Sequence, residues 1–466
     1  MENSPRPERA VDLTERLLQA AVIAIALLSL LAAQMVPREI PENSPAGPAG
    51  ELELLGRYTL GVGSLLSSFD PGGAQLDELV TSAGRGALTP VDRLRQVPLL
   101  EALGRSEDAD ARLEAVRREV LDLSEEAQDL AALEEDLRAF EAALARRRGL
   151  ERPGGAAPPL EEDARQRLTD GHGWYGELAV ALAEGGEDRL VAGARRLALG
   201  LVIGSVGALA AFAIGCGLAF LAWMWWRSGR LRSGYRGLLE GSEAASRRPY
   251  LESLLLFIVA LQVLGAASGA LMAGGGGRWP LLLNWLALLA LIWPLQRGVS
   301  RDELGLALGW PPGASPWREI GAGIVGYLAS APLLALGFSM TVLIARFGDQ
   351  QPYHPIVDWV KSSSTLDLLI VVSAAVLWAP IVEENVFRGA FFHYLRERLG
   401  PLASATLVAI TFAALHPQGL AGLPFLIALA IALALIREWR GSLIAPITVH
   451  MIHNGLILAL LLLVSS

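Results

Sequence analysis

From Leu366 to Phe392 the chain reads LDLLIVVSAAVLWAPIVEENVFRGAFF, an apolar run long enough to cross a bilayer that carries Glu383, Glu384 and Arg388 near its middle. A charge at the bilayer centre costs roughly 2.5–3.5 kcal/mol on insertion scales, so such residues serve a function and have partners. Partners are at hand: His416 stands in the next apolar segment, and His450 and Asn454 stand in the last. The chemistry of the chain is expected there.

With 466 residues, 52% of them hydrophobic, and a mean hydropathy of +0.40, the chain suits a polytopic membrane protein with one sizeable polar domain. The net charge of −9 is concentrated in that polar part, and no basic patch suits nucleic acid. Cys216 is the sole cysteine, which excludes an intrachain disulfide or a cysteine-based zinc site. Its small apolar neighbours predict a buried packing position.

The expected fold class is all-α: a transmembrane bundle of about 8–9 helices with an additional helical extramembrane domain. Residues 1–36 read as a retained anchor, because the apolar stretch Ala20–Val36 is followed by Pro-Arg-Glu rather than a small-residue cleavage site. Residues 37–194 read as an acidic helical domain. It opens on the linker PENSPAGPAG, and from Pro90 onwards it becomes rich in Ala, Leu, Glu and Arg. Val116, Leu123, Leu130, Leu137 and Leu144 recur every seven residues, which predicts an amphipathic helix paired in a coiled coil or folded back as a hairpin. This is a stalk or packing domain, with residues 37–190 a possible surface for a protein partner. Residues 195–250 supply a second membrane helix and a basic connection, and 251–466 a membrane core. Its apolar segments run over Leu251–Ala273, Trp279–Leu295, Ile320–Ala345, Leu366–Phe387, Leu402–His416, Leu420–Ile436 and Leu443–Val464, with Leu402–His416 the shortest.

Arginine placement sets the orientation. Arg6, Arg9 and Arg16 precede the anchor, and Arg227, Arg230, Arg232 and Arg236 follow the second segment. Arg297 and Arg301, Arg396 and Arg398, and Arg437 and Arg440 fall on alternate connections. A cytoplasmic N-terminus with nine crossings puts all of these on the cytoplasmic side of a bacterial inner membrane, with residues 37–194 outside. Arg195 and Arg196 oppose this weakly.

On a helix, Glu384 and Arg388 face each other across one turn, whereas Glu383 points about 100° away and has no local cation. Glu384 and Arg388 therefore read as a structural ion pair, leaving Glu383 for proton chemistry. Pro380, just upstream, is expected to bend the helix. Phe412 and His416 share the four-residue spacing, with Pro417 ending that helix; His450 and Asn454 share it again, with Pro446 one turn before them and expected to remove a backbone hydrogen bond. The pairs Glu125–Glu126, Glu134–Glu135 and Glu161–Glu162 read as solvated faces. His172, His354, His393 and His453 read as structural or interfacial, His453 alone being close enough to add a ligand if a metal is present.

EENVFR matches Glu-Glu-x-x-x-Arg, FAALH matches Phe-x-x-x-His, and HMIHN matches His-x-x-x-Asn. In this order the motifs resemble the CPBP family of intramembrane proteases, which includes the CAAX prenyl endopeptidase and bacteriocin-immunity-type members. The resemblance spans roughly Leu251–Val464 and leaves out the anchor and the polar domain. It implies that Glu383 and His416 activate the attacking water and that His450 and Asn454 stabilise the oxyanion. Family members have also been described as metalloproteases, in which case Glu383, His416 and His450 would hold a divalent ion such as zinc with an open position for water. The metal-free reading is favoured, since Asn454 is a poor zinc ligand and a good oxyanion donor. The substrate implied is a membrane-associated protein or peptide in the lipid bilayer. A non-catalytic scaffold, an immunity-type protein and a proton-coupled transporter are the alternatives. Counted along the helices, His416 falls further from the cytoplasmic side than Glu383 and His450, so for them to meet either the helices tilt or the short Leu402–His416 segment starts deeper.

Overall fold

Helix is the only regular structure among the described residues, as the succession of apolar runs and short connections demands. The computed structural model describes residues 48–66, 74–84, 89–122, 130–150, 159–236 and 248–465, apart from 276, 312, 314, 349–353, 355 and 363. The expected anchor over residues 1–36 lies outside them. The described chain packs as two units, one of residues 48–207 with 462–465, the other of residues 208–461.

The first unit is built from α1 (Pro48–Leu66), α2 (Ala74–Gly84), α3 (Pro90–Ala102), α4 (Ser106–Asp122), α5 (Leu130–Leu150) and α6 (Glu162–Glu184), and takes in the start of α7 (Asp188–Arg227). Thr89 starts α3 with a capping box closed by Asp92, and Pro90 takes the first helical position, where no donor is lost. The seven-residue stripe folds back on itself. Arg148 pairs with Asp110 at 2.8 Å and Arg117 with Glu141, partners that converge along the chain, so α4 and α5 run antiparallel. Val116, Leu137 and Leu144 are buried between them with Leu113 and Phe140. The hairpin alternative accounts for the stripe within one chain; Leu123 lies outside the described residues. Of the adjacent glutamates, Glu134 bonds Arg138 and Glu135 bonds Arg167, while Glu161 and Glu162 are exposed.

The second unit holds the rest of α7, then α8 (Arg248–Ala273), α9 (Trp279–Gln296), α10 (Arg301–Leu308), α11 (Pro316–Phe347), α12 (Ile356–Ser362), α13 (Thr365–Arg396), α14 (Pro401–Leu415), α15 (Gly419–Arg440) and α16 (Ile444–Ser465). Among the described residues seven helices are long and apolar enough to cross a membrane: α7, α8, α9, α11, α13, α15 and α16. The protein is therefore an integral membrane protein. Of the eight spans expected within the described residues seven are found, Leu402–His416 being the exception, and the ninth, the anchor, lies outside them. Helix α14, at 15 residues, reaches only about 22 Å against the roughly 30 Å of a hydrocarbon core.

Large apolar side chains point outward along the spans, among them Ile203, Leu209, Val263, Leu336 and Leu369, as a lipid-facing surface requires. Cys216 is also exposed, which corrects the buried position expected for it. Helix α7 approaches its neighbours through a small residue instead: a side chain at Gly215 would meet the Leu328 carbonyl oxygen at 2.3 Å. The basic connections of the core gather at one end. Arg297 pairs with Glu252 at 3.2 Å, Arg396 with Glu438 at 2.8 Å and Arg440 with Glu319 at 2.6 Å, joining the start of α8, the start of α11 and the ends of α9, α13 and α15. Arg437 is fully buried and spends its guanidinium on carbonyl oxygens, those of Ala307, Arg388 and Gly441. Two of these close the C-terminal ends of α10 and α15, where a cation opposes the helix dipole.

Candidate active site

Helix α13 runs unbroken through Pro380 because its turns widen. Residues Ala374–Trp378 and Asn385–Phe391 are π-helical and flank the carboxylates, so the bend expected at Pro380 is taken up as a wide turn. In the first wide turn the Ala379 N–H donates to the Ala374 oxygen, five residues back. The next donor in that register would be residue 380, and proline has none. The Ala375 oxygen so left over accepts from Asn454 Nδ2 at 2.8 Å. Pro446 has no such consequence: it lies in the first turn of α16, where an N–H has no partner inside the helix.

Glu384 and Arg388 form the expected ion pair, at 3.0 Å and wholly buried. Arg388 also donates to the Ala430 oxygen at 3.1 Å, which fixes α13 to α15. The pair is not confined to one helix, because His450 Nδ1 lies 2.9 Å from the same Glu384 oxygen, Oε1. The guanidinium of Arg388 sits 4.6 Å from the centre of the Phe412 ring, and that ring lies 4.3 Å from His416. One aromatic side chain thus separates the ion pair from the imidazole.

The meeting of α13 and α14 follows from their connection. Glu383 lies 13 residues before Arg396 and His416 lies 15 after Pro401, so both stand about 20 Å from the turn that joins the helices. The expected mismatch in depth disappears. His416 caps α14 with extended backbone, φ −87° and ψ 137°, as the following Pro417 favours. From there its Nδ1–H donates to the Phe412 oxygen at 2.8 Å, one turn back, where the ending helix has left a carbonyl open. The Phe-x-x-x-His spacing thus serves ring and carbonyl together.

The structure brings three of the four candidate residues around one point. Glu383 Oε2 stands 3.9 Å from His416 Nε2 and 3.9 Å from His450 Nε2. That oxygen is buried and has no hydrogen-bond partner in the protein. The side chains of Glu383 and His416 keep 14% and 21% of their exposure, against 4% for His450 and none for Glu384, so the site is open on the side of the first two. Asn454 sits one turn beyond His450, about 6 Å along α16, on Ala375. With Nδ1 of His416 engaged by the Phe412 carbonyl, the ring turns Nε2 toward Glu383. His450 donates Nδ1–H to a carboxylate, and in its doubly protonated form Nε2–H faces the same point.

The donor types suit zinc, but their spacing does not. Ligands at about 2.0–2.1 Å on a tetrahedral ion lie about 3.4 Å apart, closer than the 3.9 Å found for both pairs. Among the described residues no group of three His, Cys, Asp or Glu side chains is arranged to hold a metal ion.

The remaining histidines are structural in this geometry. His453 Nδ1 lies 3.0 Å from the Tyr327 hydroxyl, His393 Nδ1 lies 2.5 Å from the Tyr235 hydroxyl, and His172 packs on Phe140 beside Asp136. His354 accepts from the Ile356 N–H at 3.1 Å. Two supports had no signal in the spacing of the chain. Trp310 Nε1 donates to Asn385 Oδ1 at 2.7 Å, and Tyr327 reaches His453 from α11, each from another segment.

Residues 365–456 match the family model described as type II CAAX prenyl endopeptidase Rce1-like. No curated protein and no solved structure matches the chain. The matched segment holds the whole constellation, from the wide turn before Glu383 to Asn454. Over residues 365–456, less than half of the chain, the protein therefore resembles the Rce1-like CAAX proteases of the CPBP family, a likeness that supports a protease-like enzyme.

Proposed function

We propose that the protein is an intramembrane endopeptidase that hydrolyses a membrane-associated protein or peptide with a water held by Glu383 and His416. The observation that carries this reading is the partnerless Glu383 Oε2, 3.9 Å from two imidazole nitrogens. A water about 2.8 Å from Glu383 Oε2 and from His416 Nε2 bridges that gap, donating one proton to each. Its lone pairs are then free for a peptide carbonyl carbon. As the water oxygen bonds to that carbon, Glu383 takes its proton and the carbonyl oxygen gains negative charge. His450 Nε2–H and the second amide proton of Asn454 are the donors for that oxyanion. Collapse breaks the C–N bond, and Glu383 returns the proton to the leaving amine.

Glu384 orients His450 and balances its charge. No step uses a metal. The test is cleavage of a transmembrane peptide by the full-length protein in proteoliposomes, comparing wild type with Glu383→Gln and His416→Gln.

The basic end of the core is the cytoplasmic face of a bacterial inner membrane in this reading, and residues 37–194 form an extracytoplasmic domain able to recruit a protein partner. Supporting the orientation, the arginine-bearing connections after α9, α13 and α15 meet at one end of the unit. Protease protection of residues 37–194 in sealed inverted vesicles tests it.

A further inference from the structure

Helix α7 ends in a cluster of aromatic and basic side chains that the catalytic reading does not use. Trp223, Trp225 and Trp226 are 55%, 48% and 65% exposed on its last turns. Arg227 follows, and Gly229, at φ +66°, turns the chain out of the helix while the Arg230 N–H closes on the Trp225 oxygen at 2.8 Å. Arg230, Arg232 and Arg236 then leave the helix within one short segment, and all four arginines are exposed.

These arginines differ from the others at this end of the unit. Arg297, Arg396 and Arg440 are spent on Glu252, Glu438 and Glu319, and Arg437 on carbonyl oxygens. Arg227, Arg230, Arg232 and Arg236 have no carboxylate within ion-pair distance among the described residues. The segment is also fixed in place. Ser233 Oγ donates to Glu438 Oε1 at 2.7 Å, and the Tyr235 hydroxyl meets His393 at 2.5 Å. Gly234 lies so close to the Trp439–Arg440 backbone that a side chain there would meet the Trp439 oxygen at 2.8 Å. The arginines are thus held at the ends of α13 and α15, level with the tryptophans that mark a membrane interface.

We propose that this cluster is a binding site for anionic phospholipid headgroups, with Arg227, Arg230, Arg232 and Arg236 taking the phosphates and Trp223, Trp225 and Trp226 lying at the headgroup level. Among the described residues no carboxylate pairs with this charge, and the segment emerges from a membrane span, so the partner it meets first is the lipid beside it. A free phosphate would use the arginines alone. The tryptophans and the place of the segment at the membrane surface select the lipid.

The test is native mass spectrometry of the full-length protein in micelles, titrated with phosphatidylglycerol or with phosphatidylcholine of the same acyl chains. Wild type retains phosphatidylglycerol at least tenfold better. Replacing all four arginines by Gln removes that preference, at roughly fivefold for each arginine. Replacing all four by Lys keeps most of it, and the control Arg301→Gln with Arg318→Gln, at the same end, leaves it unchanged. Should the Gln variant fail to fold, the salt dependence of wild type decides: the preference falls between 0.05 and 0.5 M salt if the headgroup charge is read. Equal retention of the two lipids by wild type, a preference indifferent to salt, or a folded Gln variant that keeps the preference overturns the proposal.

Discussion

His450 Nδ1 lies 2.9 Å from Glu384 Oε1, the oxygen that also accepts from Arg388 at 3.0 Å. Glu384 therefore joins two helices as well as neutralising a buried guanidinium. The adjacent glutamates differ in their engagement: each keeps a buried Oε2 without a hydrogen-bond partner, but Glu384 Oε1 takes two partners, Arg388 and His450, whereas Glu383 stands no closer than 3.9 Å to a cationic side chain.

That contrast predicts opposite effects on stability. Glu384→Gln leaves Arg388 buried beside a neutral group and is expected to cost about 3–5 kcal/mol. Glu383→Gln removes a carboxylate whose Oε2 has no hydrogen bond within the protein and stays within about 1 kcal/mol of wild type. Equilibrium unfolding in mixed micelles measures both, and the reverse order contradicts the assignment.

Asn454 and Pro380 form a second test. Asn454→Ala leaves the Ala375 oxygen without a donor, at about 1–3 kcal/mol. Pro380→Ala supplies a backbone N–H to that register, so the double variant recovers part of the loss. A double-mutant cycle of unfolding free energies checks this; strict additivity means that the two residues do not share Ala375.

Gly309 stands at φ +75° after α10, and a side chain there would meet Arg437 Cζ at 2.5 Å. Gly309→Ala combines backbone strain with displacement of a buried guanidinium and is expected to cost at least ~2 kcal/mol. Thermal unfolding of the purified variant reads the effect, and a neutral result means that Arg437 does not need its place against this turn.

In the first unit, burial raises the pKa of Asp136, but His172, 3.4 Å away, and the hydrogen bond from Arg167 at 2.7 Å outweigh it and hold the carboxyl below its ordinary value. A carboxylate whose folded pKa is depressed adds stability above its unfolded pKa of about 3.9 and loses it as pH falls through the folded value. Hydrogen exchange of residues 130–184, compared between pH 5 and pH 3, should show protection falling in wild type and falling less in Asp136→Asn. Equal pH dependence in the two contradicts this.

Much of the site was legible because its residues obey helical spacing. Glu384 and Arg388 face each other at i, i+4, and His416 reaches back four residues to Phe412, so local geometry alone announced both contacts. The meeting of Glu383 with His416, which the count along the helices set at different depths, follows from their similar distances from the turn between α13 and α14. What spacing could not show was the long-range use of those groups. The bond from His450 to Glu384 depends on how α16 crosses α13, and the place of Asn454 depends on a wide turn at Pro380. The stripe in the polar domain was readable as a buried face, but its partner was not, because seven-residue spacing is the same within a chain and between chains. The short helix α14 shows that an apolar run inside a protein-lined core need not be as long as one that faces lipid: at 15 residues it still carries the chain from the end of α13 back to the start of α15.

The most direct measurement is the rate at which Glu383→Gln protein, reconstituted in proteoliposomes and shown to be folded, cleaves a transmembrane peptide that wild type cleaves. Loss of the carboxylate that takes the water's proton predicts a fall of about 10²–10⁴-fold, with substrate affinity unchanged. Cleavage at the wild-type rate would contradict the account.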